Sequence, residues 1–323
     1  MINDIDIDIE SDISLFCDDT RVTKPVKEEN DAEELQKDLD KLYLWQEKNN
    51  MLFNGTKFEI LRYGQDKDLK TGTMYFTPGM DEVIEEKESL RDLGVMMTNS
   101  ASFNNHINLV CKKVIQKSGW IFRTFKSRDK FFLKYMWKSL IQPHVDYCSQ
   151  LYMPINPGEM EKIENLFRNF SKKIPALKGM DYWTRLKHLR MYSQQRRLER
   201  YRILYVWKIH RRIVPNCGLE FTSEETRRGA EVLIPNLKGT SKGREQCFQV
   251  HGGKLFNSLP KYLRNMAGKN LDDFKEKLDN YLQSIPDEPK VDGYIPSACE
   301  DLTAKPSNSI LFQCKQKIRN KGC

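Results

Sequence analysis

Apolar residues along this chain follow two periods, and the change from one to the other falls near residue 100. Between residues 11 and 22, Ile13, Leu15 and Val22 alternate with polar neighbours around the polar centre Cys17-Asp18-Asp19-Thr20. Alternation on both sides of a polar tetrapeptide predicts a β-hairpin. Residues 24–30 form a charged connector. From Asp31, Leu35, Leu39, Leu42 and Trp45 recur every three or four residues. That spacing predicts a helix with Asn30 or Asp31 as N-cap and Glu33 and Glu34 in its first turn. Asn49-Asn50 and Asn54-Gly55 end it, and short strand-like runs follow at 57–61, 75–76 and 93–97.

Beyond Ser102 the period becomes helical. Ser102 is placed to cap a helix carrying Phe103, Ile107, Val110, Val114 and Ile121. Asp129 opens a second, with Phe132, Leu133, Met136 and Leu140, which Pro143 is expected to close. A third starts near Glu159 with Met160, Ile163, Leu166, Phe167, Phe170 and Ile174, and Pro175 ends it. Ser193 opens a strongly basic helix through Leu198, Tyr201, Leu204 and Trp207 to about Ile213, broken by Pro215-Asn216-Cys217-Gly218. Residues 215–253 look loop-rich. A last helix over about 271–284 sets Phe274, Leu278 and Tyr281 on one face. From 286 onward Pro, Ser, Asn, Lys and Asp dominate, which predicts a disordered tail over 286–323. The expected class is α+β: a mixed part over 1–100, a basic helical region over 101–214 and a C-terminal helical region over 215–285.

Composition narrows the setting. The 323 residues leave room for one large or two ordinary domains. With 39% hydrophobic and 30% charged residues, extended charged surfaces are expected. No apolar run reaches the roughly 18 residues of a membrane helix, so no membrane partner is expected. The acidic start, with Asp4 and Asp6, argues against a secretory signal or an Arg-rich transit peptide. The eight cysteines are scattered, without a C-x-x-C pair or zinc-finger spacing. No zinc is expected, and reduced thiols in an intracellular, cytoplasmic or nuclear, setting are.

The net charge of +8 conceals an asymmetry. Residues 1–51 hold fifteen acidic side chains against six basic ones, and residues 112–212 hold twenty-four basic against seven acidic. A polyanion suits the second surface, and so does a plain set of solvated helix faces.

The Asp-Asp pair carries the sharpest chemistry. Adjacent carboxylates repel and are costly to desolvate, so a rigid turn that holds them suits cation coordination; an ordinary surface turn is the other reading. The run Ser11-Asp12-Ile13-Ser14-Leu15-Phe16-Cys17-Asp18-Asp19-Thr20 resembles the "FADD" active-site motif of non-LTR retrotransposon reverse transcriptases of the jockey-like or CR1-like kind, and Ile2-Asn3-Asp4 is similar to the lead-in those enzymes carry. Further resemblances follow in the family's order. Leu35-Gln36-Lys37-Asp38-Leu39-Asp40-Lys41-Leu42 with Trp45 looks like the helix after the catalytic hairpin. Asn54-Gly55-Thr56-Lys57 matches the next motif, and Leu93-Gly94-Val95 resembles the primer grip, with Asp92 where a tyrosine is usual. Asn105-His106-Ile107, the run from Ile141-Gln142-Pro143-His144 to Cys148, and Arg185-Leu186 through Arg196-Arg197 resemble the thumb and C-terminal region.

By that resemblance residues 1–100 are a partial palm and residues 101–214 a thumb-like region, and the partners are an RNA template and a DNA primer. Asp18 is the essential metal ligand, Asp19 supports it, Phe16 packs under the turn, and Cys17 takes a small-residue position. Lys57 is a candidate general acid for departing pyrophosphate. Leu93 and Gly94 are primer-grip-like, and Gly94 lets backbone approach the primer closely. Lys112, Lys113, Lys117, Arg123, Lys126 and Arg128 interleave with Trp120, Phe122 and Phe125, and with Arg196, Arg197, Arg200 and Arg202 are candidates to grip nucleic acid; core aromatics and solvated cations are the plainer reading. The histidines are read as structural.

The implied cofactor is Mg²⁺, held only once a further carboxylate completes the site. In the family the strand bearing it, the fingers and the endonuclease all precede the Asp-Asp motif, so the chain is expected to be inactive by itself. The function implied is a fragment of an RNA-directed DNA polymerase. The alternatives are a non-catalytic nucleic-acid-binding helical protein and a helical interaction module. The oligomeric state is left open.

Overall fold

The computed structural model describes residues 4–64, 73–77, 82–154, 156–226, 229–235, 237, 244–245, 247–266, 270–288 and 309–311. Among the described residues helices predominate and every sheet has two strands, an α+β arrangement. The chain divides into two compact units, Met1–Phe103 and Asn104–Cys323.

In the first unit, β1 (Asp12–Phe16) pairs antiparallel with β2 (Asp19–Thr23). The helix α1 (Glu29–Asn49) begins two residues before the expected Asp31. Asp31 serves inside the first turn instead, where its carboxylate accepts the backbone N–H of Glu28 at 3.1 Å and of Lys27 at 2.7 Å. Asn50 ends the helix in the left-handed region, at φ 53°. Ala32, Leu39 and Leu42 of α1 pack with Ile5, Tyr75 and Ile84, and Ile13 and Val22 of the hairpin join them from the edge. Asp38 fixes the hairpin to the helix: buried, it accepts Ser11 N–H at 2.9 Å, Ser11 Oγ at 2.7 Å and Lys41 Nζ at 3.0 Å. Burial pushes that carboxyl up, but the Ser11 and Lys41 bonds outweigh it and hold the group below its ordinary value.

The remaining strands of this unit are short. β3 (Glu59–Ile60) pairs parallel with β6 (Glu85–Glu86), and β4 (Phe76–Thr77) pairs antiparallel with β5 (Glu82–Val83). β7 (Ser89–Asp92) and β8 (Val95–Thr98) form a second hairpin. Leu93 and Gly94 are its turn, at φ 43° and 85°, and not the start of a strand as the apolar run suggested. Positive φ at both central residues matches the twist of the flanking strands, and it is the reason for the glycine.

The second unit starts with α2 (Asn104–Thr124), which buries Ile107, Val110, Val114 and Ile121. Asp129 caps α3 (Lys130–Met136), accepting from Phe131 and Phe132 N–H, both at 2.9 Å. Pro143 does not close this helix. A π-turn at Trp137–Ile141 leads directly into α4 (Gln142–Asp146), whose first turn accommodates Pro143 because no intrahelical N–H is needed there. The short α5 (Ser149–Tyr152) follows. α6 (Pro157–Ser171) is capped by Asn156, and α7 (Tyr182–Leu189) by Asp181. Trp137, Phe167, Phe170 and Tyr182 meet ring against ring between these helices.

Next, α8 (Gln194–His210) runs through the unit with Leu198, Ile203, Val206 and Trp207 fully buried. β9 (Thr222–Thr226) pairs with β10 (Gly229–Leu233); α9 (Phe248–Asn257), α10 (Lys261–Arg264) and α11 (Leu271–Gln283) then pack on α8. The stretch expected to be loop-rich therefore holds a hairpin and the start of a helix. A Cβ at Gly252 would stand 3.2 Å from Val206 Cγ2, so the glycine lets α9 lie close on α8. Trp207 stacks on Phe274 with centroids 4.6 Å apart, so one core joins residues on both sides of position 214. The expected tail also has fixed points. Asp287 accepts Ser193 N–H and Oγ at 2.7 Å each, and Ile310 is buried in the α8 core, its N–H donated to Glu199 at 2.8 Å. Of residues 289–323, all but 309–311 lie outside the described set.

One buried carboxylate predicts a pH dependence. Glu164 of α6 accepts the α8 N-terminal amides of Gln194 at 3.1 Å and Gln195 at 3.2 Å, and the hydroxyl of Tyr182. Burial pushes its pKa up to about 7, against the pull of those bonds. The folded state thus binds more protons than the unfolded chain between roughly pH 4.5 and 7. Stability is expected to fall as pH rises through that window, by up to roughly 3 kcal/mol. Glu164→Gln should flatten this slope in denaturant titrations at pH 5 and pH 7.5; an unchanged slope contradicts the assignment.

Candidate metal hairpin and nucleic-acid interface

The Asp-Asp pair sits at the tip of the β1–β2 ribbon. Phe16 pairs with Asp19 across the strands, so Cys17 and Asp18 are the two linking residues, with Cys17 at φ 56°. The alternation of Ile13 and Val22 anchors one face of the ribbon and leaves its tip in solvent: Cys17, Asp18 and Asp19 are all exposed. Phe16 does not pack under the turn. It is 60% exposed, and among the described residues the ribbon pairs with no third strand.

Asp18 and Asp19 do not make a metal cage by themselves. Among the described residues, no group of three or more His, Cys, Asp or Glu is gathered to hold an ion. Mg²⁺ is ordinarily held by one or two carboxylates together with water and substrate phosphates, not by an all-protein cage. Lys57 ends a 3₁₀ turn at Gly55–Lys57 and is exposed, and among the described residues no ion pair joins it to Asp18 or Asp19.

The structure does bring two of the motifs together. Arg21 of β2 donates to Asp92, beside the Leu93–Gly94 turn, at 3.0 Å. Asp92, the departure from the expected tyrosine, therefore ties the hairpin that follows α1 back to the Asp-Asp hairpin. Nothing local in the sequence signals a pair 71 residues apart.

In the second unit the basic side chains fall into two sets. On α2, Lys112, Lys113 and Arg123 are exposed, as is Lys126 just beyond it, and Lys117 is half-buried. Among the described residues none of these five forms an ion pair. Lys113 and Lys117 flank His144: burial first, then these two charges, hold that imidazole below its ordinary pKa. The interleaved aromatics are mostly internal. Phe122 meets Phe170 at 5.0 Å and Phe125 meets Phe132 at 5.4 Å, while Trp120 is partly exposed. Arg128 faces inward too: its guanidinium caps the end of α2, donating to Phe122 O at 2.7 Å and to Phe125 O.

The basic helix α8 is the other set, and it corrects the expectation that its arginines face nucleic acid. Arg196 is fully buried and donates to the carbonyls of Leu282, Ile285 and Pro286 at 2.8–3.3 Å, closing the end of α11. Arg197 makes a two-pronged contact with Asp146, at 2.7 Å from Nη2 and 3.1 Å from Nε, and Arg200 does the same with Asp279 at 2.6 and 2.7 Å. Arg202, also fully buried, donates Nε to Gln150 O at 3.1 Å, and burial lowers its pKa to about 10. Arg196 and Arg202 are thus wholly enclosed, and the partly exposed Arg197 and Arg200 are committed to carboxylates of other helices.

Among the described residues, no helix is long and apolar enough to cross a membrane. No family model matches the chain, and no curated protein or solved structure matches it either.

The two basic sets predict opposite responses to mutation. Asp146→Asn leaves the half-buried Arg197 without its counter-charge and should lower unfolding free energy by about 2 kcal/mol. Lys112→Gln and Arg123→Gln should stay within about 0.5 kcal/mol of the parent protein. Urea titration of the three variants checks both; equal effects would contradict the division.

Proposed function

We propose that this chain is a section of an RNA-directed DNA polymerase of the non-LTR retrotransposon kind. In that reading the Asp18–Asp19 ribbon is the metal-binding element of the palm, and the helical unit from Asn104 is a thumb and C-terminal region that holds template and primer. The observation that carries it is the placement of Phe16-Cys17-Asp18-Asp19, the residues that resemble the family motif, at the tip of an antiparallel ribbon with both carboxylates in solvent. Further support comes from the exposed α2 cations, which lack an ion-pair partner among the described residues. A catalytic site would need a third carboxylate beside the pair, from another strand, so the chain is read as inactive on its own. A non-catalytic nucleic-acid-binding protein shares the α2 surface and is distinguished by chemistry alone.

The test is binding of an RNA–DNA hybrid to the full chain at several salt concentrations. Affinity is expected to fall steeply with salt, and each of Lys112→Gln, Lys113→Gln and Arg123→Gln should reduce the slope of log K against log salt by about 1. Asp18→Asn should leave binding unchanged. Salt-independent binding, or none, overturns the reading. In a primer-extension assay with Mg²⁺ no synthesis is expected from the chain alone; Asp18-dependent synthesis would show that it completes its own site.

A further inference from the structure

Outside α2, a second concentration of positive charge lies in an open groove between α3 and the end of α7. Lys130, Phe131, Lys134, His188, Leu189 and Arg190 line it, three cations without a carboxylate. Lys138, one turn beyond Lys134, adds a fourth positive charge. Asp129, the nearest acid in sequence, is engaged with the amides of Phe131 and Phe132. Among the described residues, none of Lys130, Lys134, Lys138 and Arg190 is in an ion pair. Burial, then Lys138 and Arg190, hold the Lys134 ammonium below its ordinary value, so the groove crowds like charges that an anion would relieve.

One aromatic side chain, Phe131, lines the same groove, and Tyr135 follows it one turn along α3. Phe131 is 69% exposed and Tyr135 65%, and their four-residue spacing puts both on one face of α3. Both rings are open to solvent although the second unit has a well-filled core around Trp137. Lys130 Nζ stands 4.9 Å from the Phe131 ring centroid, a cation beside an open ring face. Cations that track a backbone, next to rings on which bases stack, are the chemistry that holds single-stranded nucleic acid. An acidic peptide would use the charges but not the rings.

We propose that the groove between α3 and the end of α7 binds single-stranded nucleic acid, with phosphates on Lys130, Lys134 and Arg190 and bases on Phe131 and Tyr135. This rests on the nucleic-acid reading of the protein and adds a second surface, distinct from α2. All five side chains can be shortened without emptying a core, since none of them is buried.

The experiment is fluorescence anisotropy of a labelled twelve-nucleotide oligo(U) with the full chain, against an RNA–DNA hybrid and a poly-glutamate peptide. The variant Phe131→Ala/Tyr135→Ala should weaken oligo(U) about tenfold or more with little change in salt slope, since each stacked base contributes strongly. Lys130→Gln/Lys134→Gln should lower that slope by about 1.4. The Lys112→Gln/Lys113→Gln variant should act chiefly on the hybrid. Oligo(U) affinity unchanged in both groove variants overturns the groove while leaving the α2 reading intact. Poly-glutamate bound as tightly as oligo(U) also overturns it, in favour of an acidic protein partner. Loss of the hybrid from the parent protein would strike the broader reading instead.

Discussion

A guanidinium can leave water only if its donors end on acceptors, and the second unit is built around a helix that buries two of them completely. Arg196 and Arg202 of α8 reach the carbonyl ends of α11 and α5, and Arg197 and Arg200 reach carboxylates on α4 and α11. Each of these contacts joins segments about fifty to ninety residues apart. Removing a charge from such a set leaves its partner partly or wholly buried without a counter-charge, a larger penalty than removing a surface cation. The helix is thereby fixed by polar contacts at its sides as well as by Trp207 and its apolar neighbours.

The consequence for function is a division of charge. Residues 112–212 hold twenty-four basic side chains, yet the four arginines from Arg196 to Arg202 are turned inward. What remains in solvent includes Lys112, Lys113, Arg123 and Lys126 on and just beyond α2, Arg190 of the groove beside α3, and scattered positions such as Lys162, Lys172, Lys173 and Lys178. A long-range positive field needs only charge, but phosphate contact needs charge with an open hydrogen-bond donor. Only the second group of residues meets both conditions. In the first unit the same logic applies with opposite sign: Asp38 is buried and committed to Ser11, whereas Asp18 and Asp19 are open.

Patterns that repeat within one element were legible in the sequence. Ile107, Val110, Val114 and Ile121 mark the buried face of α2, and Asp129 and Ser193 cap helices through their own side chains. The Asp-Asp turn was legible as well, because the alternation around it fixes a ribbon. Contacts between distant segments were not. The Arg197–Asp146 pair spans 51 residues and Arg21–Asp92 spans 71, and no spacing rule connects such positions. Pro143 misled because a π-turn absorbs it, and Leu93 because its left-handed conformation is signalled only by the glycine beside it. Basic residues on a helix read alike whether they face water or carbonyl groups; what separates α8 from α2 is that its arginines end on carbonyls and carboxylates of distant segments.

Hydrogen exchange of the full chain, followed by peptide with and without an RNA–DNA hybrid, tests the division most directly. Amides of α8 should already exchange among the slowest, through global unfolding, and should be unchanged by the hybrid, while peptides covering α2 gain protection. Fast exchange in α8 that slows when the hybrid is added would contradict the account, because it would make the arginine helix the binding surface and not the strut.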